Sequence, residues 1–170
     1  YTALTALTSL NFILFPAFVI AFFTAGIGFL LHEIMHKYVA QSYGLRAEFR
    51  AFFPMLWLSL LFSLFGFIIA APGAVFIQGA INRVKNGKIS IAGPVTNVVI
   101  GIVFLILLLI FGARGLVGSI FSFGLSINGL LAAFNMIPAM PFDGAKVLAW
   151  NKKVYAVVLI LGIGLFVASW

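Results

Sequence analysis

His32-Glu33-Ile34-Met35-His36 holds both histidines of the protein and one of its three acidic residues. On a helix the i, i+4 spacing puts the two imidazoles on one face, one turn apart. Two ring nitrogens so placed can share one metal ion, and Glu33 beside them can take a proton from a water that the metal acidifies. The plainer alternative is a helix end with polar side chains at a membrane surface. The twenty residues before the motif, FILFPAFVIAFFTAGIGFLL, are apolar, so the motif continues an apolar helix and uses the only histidines available. A bis-histidine haem is a poor fit, since axial ligands approach from opposite sides of the ring and an i, i+4 pair presents both on one side.

A catalytic zinc usually has three protein ligands and one open position. Cysteine is absent, which excludes thiolate ligands, disulfides and a cysteine nucleophile. The third ligand is then Asp143, Glu48, or an amide or carbonyl. Asp143 follows an apolar run in Asn135-Met136-Ile137-Pro138-Ala139-Met140-Pro141-Phe142-Asp143-Gly144. It is the better placed, although capping of the next short helix, with Gly144 as a turn, would also explain it. Glu48 lies between two arginines in LRAEFR, where a surface ion pair suffices. Two histidines and a carboxylate also suit Fe²⁺ or Co²⁺.

The elements that must carry these groups are membrane helices. Of 170 residues, 64% are hydrophobic and 8% charged, against about 25% charged in a soluble domain. A crossing takes about 20 apolar residues. Apolar runs cover Phe12–Tyr43, Met55–Ala71, Ala92–Phe111, Leu116–Ile137 and Val154–Trp170, with Gly44 a stop for the first. Between Pro72 and Ser90 alternation and the Asn86-Gly87-Lys88 turn predict short strands or a hairpin. The expected fold is an all-α polytopic membrane protein: one domain over 1–170, a bundle of about five apolar segments with a short extended region at about 72–90. A start at Tyr1 and an end at Trp170 inside an apolar run read as a trimmed or partial chain. The net charge of +7 suits cytoplasmic loops and lipid headgroups. No basic stretch is long enough to bind nucleic acid, and no oligomeric state is legible.

With these residues in view, the chain resembles the site-2 proteases, intramembrane zinc metalloproteases that cleave transmembrane segments of other proteins. The family's HExxH helix matches His32 to His36. Its NxxPxxPxDG motif matches Asn135 to Gly144, with Pro138, Pro141, Asp143 and Gly144 in place, and a Gly-Pro-x-x-Asn helix opening matches Gly93-Pro94-Val95-Thr96-Asn97. The resemblance runs from about Phe29 to Trp150. It implies one catalytic Zn²⁺ on His32, His36 and Asp143, with Glu33 as general base. It also implies a transmembrane-protein substrate, and Asn97 and Asn135 near the site, binding substrate backbone or polarising the scissile carbonyl. Helix packing and capping are the alternative roles for both asparagines.

One departure is Met55–Ala71, which looks longer than the usual family connection. A single crossing there would put the end of the HExxH helix and the start of the Gly-Pro helix on opposite sides, separating the ligands. The crossing is therefore expected to be undone, by a re-entrant segment or by an extended return over Pro72–Ala80. Nine extended residues reach about 30 Å at ~3.3 Å each, and such backbone must be buried against protein or a wet cavity. Lys37, Arg46, Arg50, Arg83, Lys85, Lys88, Lys146, Lys152 and Lys153 then share one side and Arg114 alone takes the other. By the positive-inside rule the crowded side is cytoplasmic and the metal lies nearer to it. An edge strand in Pro72–Ser90 could pair with an extended substrate. Rival readings are a catalytically silent metal-binding scaffold, which has no need of Glu33, and a metal transporter, which needs a chain of ligands across the bilayer. A rhomboid-type serine protease lacks a free histidine.

Overall fold

The first helix, α1, runs over Leu14–Ser42 and includes a π-helical stretch, Phe22–Gly26. There the Thr24 hydroxyl donates to the Ile20 carbonyl. The computed structural model describes residues 14–63 and 73–170. After Ser42 the helix stops as the sequence predicts. Gly44 takes a positive φ of 73°, and its N–H bonds the Gln41 carbonyl at 2.9 Å while Leu45 N–H bonds that of Ala40 at 3.2 Å. A left-handed residue here satisfies the last carbonyls, and glycine takes that conformation without steric cost.

Strand β1 (Arg46–Ala51), a short helix α2 (Phe53–Ser63) and strand β2 (Gly73–Gln78) follow. The two strands pair antiparallel, Arg46 opposite Gln78 and Ala51 opposite Gly73. The chain therefore leaves along β1 and comes back along β2, and Gln78 ends level with Arg46. This brings the start of the next helix to the end of α1, as metal sharing requires. Lys85 at that start lies over the Tyr43 ring, 5.7 Å from its centroid. The full course of Met55–Ala71 lies partly outside the described residues.

Next come α3 (Arg83–Phe111), α4 (Gly115–Asn135), α5 (Asp143–Trp150) and α6 (Lys152–Val167). The expected short extended region is β2, which pairs with β1; among the described residues no hairpin forms within 73–90. One expectation is corrected here. Asn86-Gly87-Lys88 is not a turn but the first turns of α3, which begins nine residues before Ala92. Asn82 caps it, its side chain accepting from Lys85 N–H at 2.8 Å. Gly87 is there for contact: a Cβ on it would overlap Trp150 of α5.

Among the described residues, α1, α3 and α4 are long and apolar enough to cross a membrane, with 29, 29 and 21 residues. At 16 residues, α6 falls short of the about 20 that a full crossing takes. Phe15, Phe18, Leu109, Ile110 and Phe111 stand exposed, as side chains facing lipid do. A helical membrane protein with a small two-stranded sheet is thus what the chain forms. Val98, Leu125, Ala132, Met136, Val147, Val158 and Leu165 make the core that joins α3 to α6. Gly129 and Gly162 let α4 and α6 approach closely, for a Cβ on either would meet the other helix's backbone, a small-residue interface of the kind membrane helices use. Ala40, Leu45, Ala47 and Ile89 form a second cluster that ties the end of α1 and β1 to the start of α3.

Candidate metal centre

His32 and His36 lie one turn apart on α1, both buried, and face α3 where Gly93 has no side chain. Asp143 arrives from the opposite part of the chain, at the first position of α5. The break after α4 can fold so tightly because residue 144 is glycine: a Cβ there would overlap the Met136 backbone. The N-cap of α5 is Phe142, without a side-chain cap bond, so the Asp143 carboxylate is not used as a cap. It turns to the histidines instead. Its Oδ2 is 3.5 Å from His32 Nε2 and 3.0 Å from His36 Nε2, and the two Nε2 atoms are 3.0 Å apart.

The partners on the far side of each ring set the protonation of these atoms. His36 Nδ1 is 2.8 Å from the Ile89 carbonyl, which can only accept, so Nδ1 carries the proton. His32 Nδ1 is 2.5 Å from Asn97 Oδ1. The Asn97 amide nitrogen donates to Gly28 O at 3.2 Å and to Asn128 Oδ1 at 2.9 Å, which leaves Oδ1 as an acceptor for His32. A neutral imidazole has one N–H and one lone pair, and both Nε2 lone pairs therefore point inward. Such outer bonds orient histidine ligands in metal sites generally.

Three acceptor atoms within 4.8 Å of one another repel unless a cation lies among them. Donors on a tetrahedral zinc with bonds of about 2.0–2.1 Å would sit ~3.3 Å apart, and the three separations here fall on both sides of that value. The space is also reserved. A Cβ at Gly93 would run into the Nε2 atoms of both histidines. The donor set and this gap fit a single zinc-sized ion. Asp143 supplies the one carboxylate of the set, and Lys146 beside it favours the charged form against burial. Lys146 Nζ is 3.5 Å from the other carboxylate oxygen.

Glu33 is half-buried beside the group, with His36, His32 and Asp143 as its ionisable neighbours, and it accepts a hydrogen bond from the Val75 backbone N–H of β2. Among the described residues β2 pairs only with β1, which leaves its other edge open. Asn135 is not bonded to the three converging groups; its amide donates to the Leu131 carbonyl in its own helix at 2.9 Å. Glu48 pairs with Arg50 at 3.5 Å on the exposed face of β1, the surface ion pair its neighbours imply. Asn128, fully buried, was not singled out by motif. The signal for it was an amide inside an otherwise apolar span, which is costly in a bilayer and rarely idle.

The fold and this cluster define a helical membrane protein with a three-residue candidate metal centre. No protein-family model matches the chain and no solved structure does, but curated proteins do. "Putative zinc metalloprotease MJ0611" of Methanocaldococcus jannaschii is 45% identical over 157 residues, covering 90% of this chain and 82% of that protein. "Zinc metalloprotease MJ0392" of the same organism is 33% identical over 120 residues, 70% of this chain and 30% of that protein. "Putative zinc metalloprotease YwhC" of Bacillus subtilis is 28% identical over 142 residues, 72% of this chain and 64% of that protein. The chain belongs to this family of zinc metalloproteases.

Proposed function

We propose that the protein is an intramembrane zinc metalloendopeptidase of the site-2 protease type, hydrolysing peptide bonds in or near transmembrane segments of other proteins. The observation that carries this reading is the convergence of His32 Nε2, His36 Nε2 and Asp143 Oδ2 at a gap left by Gly93, inside a bundle of apolar helices. His32, His36 and Asp143 would hold the zinc. When bound, zinc supplies a Lewis acid that brings the pKa of water toward about 7 and polarises a carbonyl. Glu33 accepts the proton of the attacking water at its carboxylate and returns it to the leaving amine, the usual double duty of a general base. The Asn97 and Ile89 acceptors keep both imidazoles in the ligating tautomer throughout.

A helix hides its carbonyls in internal hydrogen bonds, so the substrate must be extended at the scissile bond. The β2 edge beside Glu33 supports pairing with such a segment, since main-chain hydrogen bonds to an open edge hold extended peptides generally. The contact of Lys85 with Tyr43 supports one basic face shared by the end of α1 and the start of α3, and that face is cytoplasmic by the positive-inside rule.

The test is cleavage of a model transmembrane substrate in detergent, wild type against Glu33→Gln at equal metal content. Cleavage by wild type and a loss of roughly 10²–10⁴-fold in the variant is expected. No cleavage by either protein, with zinc bound and across several substrates, would leave a metal-binding scaffold. Equal cleavage by both would remove Glu33 from the mechanism.

A further inference from the structure

We infer that Asn128 is a positioning residue: through Asn97 it selects the histidine tautomer that lets His32 serve as a ligand, an inference that rests on the metal reading above. The argument is one of hydrogen-bond polarity. The Gly124 carbonyl can only accept, so the group of Asn128 that lies 2.9 Å from it is the amide nitrogen. The Asn128 oxygen then points away, toward Asn97. Asn97 must meet that oxygen with its own amide nitrogen, at 2.9 Å, and Gly28 O accepts from the same nitrogen. The Asn97 oxygen is left for His32 Nδ1. Nδ1 therefore carries the proton and Nε2 the lone pair. Rotating the Asn97 amide by half a turn would set its oxygen against both Gly28 O and Asn128 Oδ1, put the proton on Nε2 and block it as a ligand.

The relay crosses three helices, from α4 through α3 to α1, and begins at a backbone carbonyl that cannot flip. Both amides are fully buried, so water cannot substitute for a missing partner. The packing keeps a place for it: a Cβ at Gly28 would collide with Asn128 Oδ1. His36 provides the internal contrast, because its Nδ1 rests directly on the Ile89 carbonyl and needs no relay.

The chain has two histidines, so protein labelled with ¹⁵N-histidine gives signals from two rings, and the ring shifts distinguish the tautomers. In metal-free wild type above the imidazolium range both rings are expected as the Nδ1–H form. In Asn128→Leu the His32 ring is expected to become a mixture while His36 stays unchanged. Asn128→Asp keeps an acceptor for Asn97 and is expected to keep the wild-type pattern. Should Asn128→Leu fail to fold, Gly28→Ala pushes the same oxygen aside from α1 and is expected to give the same change at His32 alone. An unchanged His32 tautomer in a folded Asn128→Leu or Gly28→Ala protein, or equal changes in both rings, would overturn the relay. Co²⁺ titration of the same samples reads the metal site separately. A relay variant is expected to bind ~10–100-fold more weakly, as outer-sphere losses do. A wild type that keeps both rings in the Nδ1–H form yet binds no Co²⁺ would sink the metal reading and leave the relay standing.

Discussion

Where α1, α3, α4 and α5 meet, Asn97 and Asn128 are fully buried, and among the described residues no buried side-chain nitrogen or oxygen lacks a partner. On β1, α2 and β2 the pattern is reversed. Phe53, Trp57 and Phe76 stand exposed, and the Arg50–Glu48 pair lies at the surface. The first region holds its polar groups in one arrangement, and the second leaves apolar side chains and a strand edge open. Interhelical hydrogen bonds in membranes average only about 0.6 kcal/mol, so the buried amides contribute little net stability. Their value is direction: they decide which atoms face the metal. The excursion has no such constraint and lies next to Glu33 through Val75, which suits the handling of substrate. Under the proposed function, chemistry and access then belong to different parts of the chain.

If that division is right, the largest single effect comes from filling the gap in the polar region. Gly93→Ala places a methyl group against both Nε2 atoms, on rings held from behind by Asn97 and the Ile89 carbonyl. Zinc content measured by elemental analysis is expected to fall to near zero, and proteolysis with it, while helical circular dichroism is retained. Stoichiometric zinc in the folded variant would show that the ion does not sit between the histidines. Restoration of activity by excess zinc would mean that the methyl group weakens the site without closing it.

A smaller and more selective effect is expected from the excursion. Val75→Pro removes the backbone N–H that bonds Glu33, on a strand of a two-stranded sheet, where an edge tolerates proline. Hydrogen bonds to charged groups are worth about 1.5–3 kcal/mol, so cleavage of an extended transmembrane substrate is expected to fall roughly 10–100-fold. Zinc content is expected to be unchanged, and a peptide too short to lie along β2 is expected to lose less. Equal losses for both substrates would assign the Val75 N–H to the chemistry rather than to access and would blur the division between the regions.

What was legible in the sequence follows the same division. His32, Glu33 and His36 sit within five residues, and a helical period alone brings them together. Asp143 was legible because the Pro- and Gly-rich break around it has a local pattern. Asn128 carries no period and belongs to no motif; its meaning lies in Asn97, 31 residues away. Gly87 was misread because a tight turn and a close helix contact both call for a residue without a side chain, and only the position of Trp150 tells them apart. The pairing of Arg46–Ala51 with Gly73–Gln78 joins two stretches across the whole excursion, and neither announces its partner.

The smallest effect tests whether surface charge on the excursion matters at all. Glu48 and Arg50 lie 3.5 Å apart with side chains 72% and 55% exposed, and Arg50 also rests on the Phe76 ring, 5.1 Å from its centroid. Exposed pairs of this kind contribute about 0–1 kcal/mol, because water screens the charges and ordering two long side chains costs entropy. Glu48→Ala is therefore expected to leave zinc content unchanged and to shift thermal unfolding in detergent very little. Loss of zinc in this variant would bring Glu48 back as a ligand, against the geometry of Asp143. Normal zinc with weaker cleavage of transmembrane substrates alone would instead make this face of β1 part of substrate handling, extending the access region beyond the edge of β2.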